Sequence, residues 1–170
     1  TRNVVVETLR AIGRQCDGVR CDMAMLTTND IFSRTWRERG LAGDQPEFWS
    51  SIIPQVKAEH PDLLFIAEVY WDLEWALQQQ GFDYTYDKRL YDRLRAADAR
   101  PARDHLRAEM AYQERLLRFI ENHDEPRAAA AFGVQRSMAA AVLSFTVPGA
   151  RLLHDGQLEG RTVKTPVQLS

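Results

Sequence analysis

The stretch "LLFIAEV", from Leu63 to Val69, is a continuous apolar run that contains one acid, Glu68. A strand with one solvated face alternates apolar and polar residues, whereas a strand of a parallel sheet covered on both faces is apolar throughout. His60-Pro61 stands just before the run and closes the helix-like segment that precedes it. We therefore predict a buried parallel strand here, with Glu68 at its carboxyl end.

Outward from this strand, helix-like and strand-like segments alternate along the whole chain. The strand-like segments are short and apolar or aromatic: "CDGVRCDMA" (16–24), "LLFIAEV" (63–69), "FDYTYD" (82–87), "LLRFIENH" (116–123) and "ARLLHDG" (150–156). Such alternation predicts an α/β fold in which helices cover a parallel sheet. Five strands are consistent with an open sheet as well as with an incomplete barrel, since a complete (β/α)8 barrel has about 250 residues.

The helices carry their own local signals. In "DLEWALQQQG" we predict a short helix that Asp72 caps and Gly81 ends, with Trp75 packed in the core. The proline two residues after Asp124 makes that aspartate a candidate cap of the next helix. "PRAAAAFGVQRSMAAAVLSFTV" (126–147) is predicted to be mostly helical.

Composition excludes several classes of partner. The 170 residues are 45% hydrophobic and 27% charged, with a net charge of −2, which is typical of a globular protein and gives nucleic acid no overall attraction. No apolar run approaches the roughly 18 residues of a membrane span. Two cysteines, Cys16 and Cys21, fit reduced packing thiols, and no second pair of cysteines exists to build a metal site. We expect no metal and no cofactor. The compartment is left open, with the cytoplasm favoured.

Three acids stand at or just beyond predicted strand ends: Asp22, Glu68 and Asp124. In an α/β sheet the functional groups collect at the carboxyl ends of the strands. Arg20 lies two residues before Asp22, on the same face of the strand, and would keep that carboxylate ionised as a nucleophile requires. Partial burial of Glu68 favours the protonated form that a general acid requires. This division of roles is that of a retaining glycosidase.

Four stretches together resemble the signature regions of the α-amylase family of glycoside hydrolases. "DGVRCDMA" (17–24) is similar to the family's G-x-R-x-D-x-A stretch, "FIAEVY" (65–70) to its E-V-aromatic stretch and "FIENHD" (119–124) to its F-x-x-N-H-D stretch. "VPGARLLHDGQLEGR" (147–161) is similar to the segment around the last barrel strand. The order of the stretches is that of the family, and they cover nearly the whole chain.

The resemblance implies a retaining hydrolase or transglycosylase that acts on α-glucosidic bonds of glucans or oligosaccharides. It makes Asp22 the nucleophile, Glu68 the general acid and base, and Asp124 the acid that binds sugar hydroxyls. The resemblance also implies that four residues bind the substrate: Arg20, His123, Tyr70 and Arg127. For Tyr70 and Trp71, a role as a platform for sugar rings and a role in packing are equally consistent with the sequence.

The same resemblance implies that residues 1–170 are a partial catalytic barrel domain, the C-terminal five-strand portion of a TIM (β/α)8 barrel. The first three strands are missing, and with them one signature region of the family. Five strands leave two exposed edges. We therefore expect a piece of a longer polypeptide that is impaired alone and self-associates.

Two alternatives stay open. A hydrolase and a transglycosylase share the same acids and differ in whether water or a sugar hydroxyl reaches the intermediate, a choice that the predicted loop 26–46 would influence. A non-catalytic barrel relative, serving as an assembly module, would be expected to lose one or more acids, and here all three are present. An unrelated nucleotide-binding sheet is disfavoured because no glycine-rich phosphate loop follows any predicted strand.

Overall fold

The computed structural model describes residues 1–36 and 45–166. The chain forms two compact units, Thr1–Tyr86 and Asp87–Ser170. Short parallel strands and longer helices alternate in each unit, as the pattern of apolar segments predicts.

The first unit contains three parallel strands. Its elements are α1 (Arg2–Gly13), β1 (Gly18–Cys21), a 3₁₀ helix (Ala24–Thr27), α2 (Asn29–Trp36), α3 (Phe48–Lys57), β2 (Leu64–Ala67), α4 (Glu74–Gln79) and β3 (Tyr84–Tyr86). β2 pairs with both β1 and β3, and Cys21 stands opposite Ala67 in the β1–β2 register. The last residues of β1 and β2 are therefore level with each other.

β2 buries one face completely. Phe65 and Ala67 have no solvent exposure and join a core with Ile52 and Val56 of α3. Leu64, on the other face, is 41% exposed. On that same face Ile66 is half-buried and Glu68 is buried, so the strand is more enclosed toward its carboxyl end.

α4 begins later than the sequence indicates. Leu73, not Asp72, is its N-cap, and Asp72 has a left-handed backbone with φ of 63°. The capping prediction for Asp72 is wrong because Asp72 lies one residue before the N-cap and α4 has no side-chain cap. Trp75 is 48% exposed, so its predicted packing in the core is also wrong. Gly81, with φ of +109°, follows the helix end as predicted.

The predicted loop 26–46 contains more regular structure than expected. Its first part completes the 3₁₀ helix and then forms α2, whose Asp30 and Arg34 make an i,i+4 ion pair of 2.6 Å. Residues 37–44 of this loop lie outside the described residues.

The second unit contains two parallel strands. Its elements are α5 (Lys88–Arg95), α6 (Ala99–His105), α7 (Met110–Gln113), β4 (Leu116–Arg118), α8 (Ala128–Phe132), α9 (Val134–Thr146) and β5 (Ala150–Arg151). β4 pairs with β5 in the register Leu117 to Ala150. The helical stretch 126–147 is divided at Gly133, whose φ of +75° interrupts the helix.

A buried charge network ties the second unit together. The side chains of Asp87 and Arg118 are both fully buried and form an ion pair. His105 Nε2 lies 2.9 Å from Asp87 Oδ1, and the Leu90 amide donates to the same carboxylate at 3.1 Å. Arg118 also donates to Gln113. The network connects the cap of α5 with α6, α7 and β4.

Candidate active site

The first part of the candidate site lies where β1 and β2 end. Asp22 directly follows β1, and Glu68 directly follows β2. The Glu68 amide donates to the Cys21 carbonyl at 3.0 Å, and the Ala24 amide donates to the Glu68 carbonyl at 2.9 Å. Because Cys21 and Ala67 are register partners, the next residue of each strand brings its carboxylate to the same edge of the sheet.

Arg20 contacts both carboxylates. Its Nη1 donates to Asp22 Oδ1, and its Nη2 lies 3.0 Å from Glu68 Oε2. The guanidinium also lies over the Tyr86 ring, 5.8 Å from the centroid. Burial acts to lower the pKa of Arg20, but hydrogen bonds with Tyr86 and Asp22 and the charge of Glu68 outweigh it, so the pKa is raised. The sequence indicated the contact with Asp22, whereas the contacts with Glu68 and Tyr86 were not predicted.

Glu68 is almost completely enclosed, with 4% exposure. Its Oε2 accepts from the Met23 amide at 2.7 Å, and its Oε1 accepts from the Tyr70 hydroxyl at 2.9 Å. Met23 adopts a left-handed backbone with φ of 43°, a conformation that non-glycine residues rarely adopt and that often occurs at functional sites. These donors fix the position of the Glu68 carboxylate, which is buried as the sequence predicts.

Asp22 differs from Glu68 in its surroundings. Its side chain is 77% exposed, although Arg20 restrains one of its oxygens. One carboxylate is thus open to a ligand and the other is enclosed, while a single guanidinium contacts both. Two carboxylates in unlike environments can take different roles in one reaction.

The second unit carries Asp124 and His123 on the segment after β4. The buried Asn122 accepts hydrogen bonds at its Oδ1 from the amides of Asp124, at 3.0 Å, and Glu125, at 2.9 Å. This turn displays two partly exposed side chains, with His123 Nε2 2.9 Å from Asp124 Oδ2. Asp124 does not cap a helix, because α8 begins after Arg127 and has no side-chain cap. The alternative of a capping aspartate is therefore wrong.

Arg127 is 2% exposed and belongs to a buried cluster. Its Nη1 donates to Glu121 Oε1 at 2.7 Å and to the Asp155 carbonyl at 2.5 Å, and lies 3.0 Å from His154 Nδ1. Glu121 was not singled out in the sequence, although it is an acid at the end of an apolar run. In the structure Arg127 connects the segment after β4 with the segment after β5, and its contact with sugar stays a prediction.

The aromatic residues after Glu68 separate into two kinds. Tyr70 is half-buried, and its hydroxyl donates a hydrogen bond to Glu68. This contact positions Glu68, in addition to the predicted roles of Tyr70 as a sugar platform or a packing residue. Trp71 is 60% exposed and has a left-handed backbone with φ of 62°. An exposed indole is free of the core, so packing does not explain Trp71.

Two further findings concern the described residues as a set. Within residues 1–36 and 45–166, no three His, Cys, Asp or Glu side chains are grouped so that they could hold a metal ion. No helix in that part of the chain is both long and apolar enough to cross a membrane.

Comparison with known proteins finds relatives of this chain. α-Amylase MalA of Haloarcula japonica is 31% identical over 153 residues, which is 85% of this chain. The structure of the noncanonic maltogenic α-amylase AmyB of Thermotoga neapolitana matches 98% of the chain with a TM-score of 0.68 and 25% identity. Over most of its length, the chain is similar to proteins of the α-amylase family. Its fold is the C-terminal five-strand portion of that family's (β/α)8 barrel, so the fold prediction is confirmed.

The share of each relative that is matched is small. The chain spans 20% of MalA and 37% of AmyB. Cyclic α-maltosyl-(1→6)-maltose hydrolase of Arthrobacter globiformis, solved in complex with maltose, matches 96% of this chain and 37% of its own, with 21% identity and a TM-score of 0.70. No protein-family model matches the chain.

Proposed function

We propose that the protein is an α-amylase-type glycosidase that cleaves or transfers α-linked glucose units by double displacement. Asp22 attacks the anomeric carbon while Glu68 protonates the leaving oxygen, and a glycosyl–Asp22 ester forms. Glu68 then removes a proton from water or a sugar hydroxyl, which attacks the anomeric carbon and releases Asp22. Two inversions retain the α configuration.

The observation that carries this proposal is the pairing of an exposed and an enclosed carboxylate through Arg20. A guanidinium that contacts both acids keeps them close together. Close carboxylates, about 5–5.5 Å apart, suit a retaining mechanism, whereas an inverting mechanism needs about 6.5–9.5 Å to admit water. The exposed Asp22 has the access that a nucleophile needs.

The remaining roles are assigned residue by residue. Asp124 accepts hydrogen bonds from sugar hydroxyls, and His123, which lies 2.9 Å from it, donates to the same sugar. Arg20 orients both carboxylates, and Tyr70 orients Glu68. Arg127 contributes to sugar binding through the loop segments that it connects. The substrate class, α-linked glucan or oligosaccharide, agrees with the maltose complex of the Arthrobacter globiformis relative.

The domain and its assembly are part of the proposal. We propose that residues 1–170 form a partial barrel domain, a proposal that the match to 37% of AmyB supports. We also propose that this segment alone is catalytically impaired and self-associates through its strand edges. Light scattering of the isolated chain should give a mass above that of one copy. A well-folded monomer would contradict the self-association.

Azide rescue in the complete gene product tests the catalytic roles. With an activated aryl α-glucoside, Asp22→Ala should lose activity, and azide should restore it by direct attack, giving the β-glucosyl azide. Glu68→Ala should instead give the α-glucosyl azide, because azide attacks the covalent intermediate. For natural glucans, Glu68→Gln should lower kcat by about 10²–10⁴-fold.

Glu59→Gln provides the control, since Glu59 is an exposed acid of the first unit that pairs with Arg10 at 2.9 Å. It should retain the activity of the parent protein. Azide products of the opposite configurations, or full activity of the Asp22 and Glu68 variants, would overturn the assignment. Product analysis at high sugar concentration separates a hydrolase from a transglycosylase.

A further inference from the structure

A groove of about 590 Å³ lies among α5, α6 and α9 of the second unit. Its floor is aliphatic: Leu94, Leu106 and Leu143 are half-buried, and Ala102 and Ala140 are buried beneath them. None of the residues of the candidate active site lines it.

Small side chains keep the groove open. Ala97, Ala99 and Ala139 line its walls and are exposed, so short methyl groups stand where larger residues would fill the space. An apolar surface that is concave and open to solvent is typical of a ligand site, because burial of hydrocarbon there is favourable.

Four arginines line the groove around this apolar floor. Arg93 lies in α5, Arg103 in α6, Arg107 just after α6 and Arg136 in α9. One acid, Asp98, also lines the groove, and its carboxylate accepts a hydrogen bond from the Arg100 amide at 3.0 Å as the cap of α6. The lining therefore carries a formal charge of +3 (four arginines less one aspartate).

Three of these guanidinium groups have at most weak ion pairs, while Arg136 Nε donates to the Phe132 carbonyl at 2.9 Å. Among the described residues, no carboxylate lies within 4.0 Å of the half-buried Arg93. Arg103 and Arg107 approach Asp104 only at 3.8 and 4.0 Å, in exposed pairs that contribute little. Arginine binds carboxylates through two parallel N–H groups, which fits an anionic head group at this rim.

We propose that the groove binds a single-chain anionic amphiphile of the alkyl carboxylate type, with the hydrocarbon on the leucine and alanine floor and the carboxylate against the arginines. The size of the groove favours a small molecule over a protein. Ligand pockets have volumes of about 300–1,000 Å³. Thirteen residues line this groove, whereas stable protein interfaces use about 20–30 residues on each side. The proposal is independent of the glycosidase assignment.

Calorimetric titration of the complete gene product with laurate, below its critical micelle concentration, tests the proposal. We expect saturable binding at one site per chain, with a Kd on the order of 10–100 μM. Arg93→Gln should weaken binding about tenfold through loss of a charged contact. Ala139→Trp should abolish binding, because Ala139 is exposed and a larger side chain there fills the groove without entering the core. Circular dichroism of each variant verifies that the helices are retained.

Matched controls separate the groove from general charge attraction. Arg95→Gln removes an exposed arginine of α5 outside the groove and should leave the Kd within twofold. Dodecanol, the neutral analogue, should bind at least tenfold more weakly than laurate. Absence of saturable laurate binding, equal binding of dodecanol, or full binding by folded Ala139→Trp would each overturn the proposal. Binding only to anionic vesicles, or only to a second copy of the chain or another protein, would do the same.

Discussion

The buried pair of Asp87 and Arg118 should control the stability of the second unit. Asp87→Asn keeps the shape of the side chain but removes the charge that faces Arg118, whose side chain has no exposure. Removing one partner of a buried ion pair leaves an uncompensated charge and costs about 3–5 kcal/mol. The loss of stability should lie within this range because the Asp87 carboxylate also contacts His105 at 2.9 Å and the Leu90 amide at 3.1 Å.

The effect should depend on pH in a defined direction. Burial acts to raise the pKa of Asp87, but His105 and Arg118 outweigh it and hold the pKa below its ordinary value. A depressed folded-state pKa stabilises the fold fully above the unfolded pKa, about 3.9, and this contribution is lost as the pH falls through the folded pKa. The difference between the parent chain and Asp87→Asn should therefore be constant near neutrality and shrink below about pH 4.

Hydrogen exchange is the suitable assay, because all four tryptophans lie before residue 87 and their fluorescence reports on the first unit. Amides of β4 should exchange about 10²–10⁴-fold faster in Asp87→Asn, which corresponds to the expected loss of 3–5 kcal/mol. Asp92→Asn is the matched control: Asp92 is an exposed acid of α5 that pairs with Lys88 at 2.5 Å, and its loss should cost less than about 1 kcal/mol. A change below about 1 kcal/mol for Asp87→Asn would refute the reasoning.

Two other predictions concern backbone space and thiol reactivity. Gly149→Ala should destabilise the chain by about 3 kcal/mol or more in chemical denaturation, since φ is +114° and a Cβ would overlap the Leu116 carbonyl oxygen. Gly133→Ala, at φ of +75° and ψ of 155° with no described atom within 4 Å, should cost about 1–3 kcal/mol from backbone strain alone, and a loss equal to that of Gly149→Ala would rule out the overlap. Burial raises the pKa of Cys21 to about 12, so its nucleophilic thiolate is scarce at pH 8. The exposed Cys16 should react with Ellman's reagent in the folded chain and Cys21 only after unfolding; rapid reaction of two thiols in the folded chain would contradict this.

The sequence predicted the order of strands and helices well because each strand is a compact apolar run between clear helix signals. Leu64–Ala67 lies inside the predicted strand 63–69, and Gly81 ends its helix as expected. The predicted strand 150–156 shrinks to Ala150–Arg151, since pairing with β4 extends over only two register pairs. The length over which two strands pair depends on the neighbouring strand. The sequence of one strand alone therefore does not predict it.

Parts of the candidate site followed from sequence and other parts did not. The two-residue spacing of Arg20 and Asp22 on one strand predicts their contact, and the ion pair is present. The contact of Arg20 with Glu68 depends on the β1–β2 register, a long-range property. The hydrogen bond from Met23 depends on a left-handed backbone that no residue preference indicates, because methionine rarely adopts it. Whether Asp124 acts on the same sugar stays a prediction.

The described donors to the Glu68 carboxylate come from a short part of the chain. Arg20, Met23 and Tyr70 all lie within residues 20–70, together with Asp22. A recombination event that exchanged everything after β3 would thus transmit the acid pair along with the groups that orient it. Descendants can inherit this segment as a cassette and diversify the rest of their sequence, while the two carboxylates keep their relation to each other.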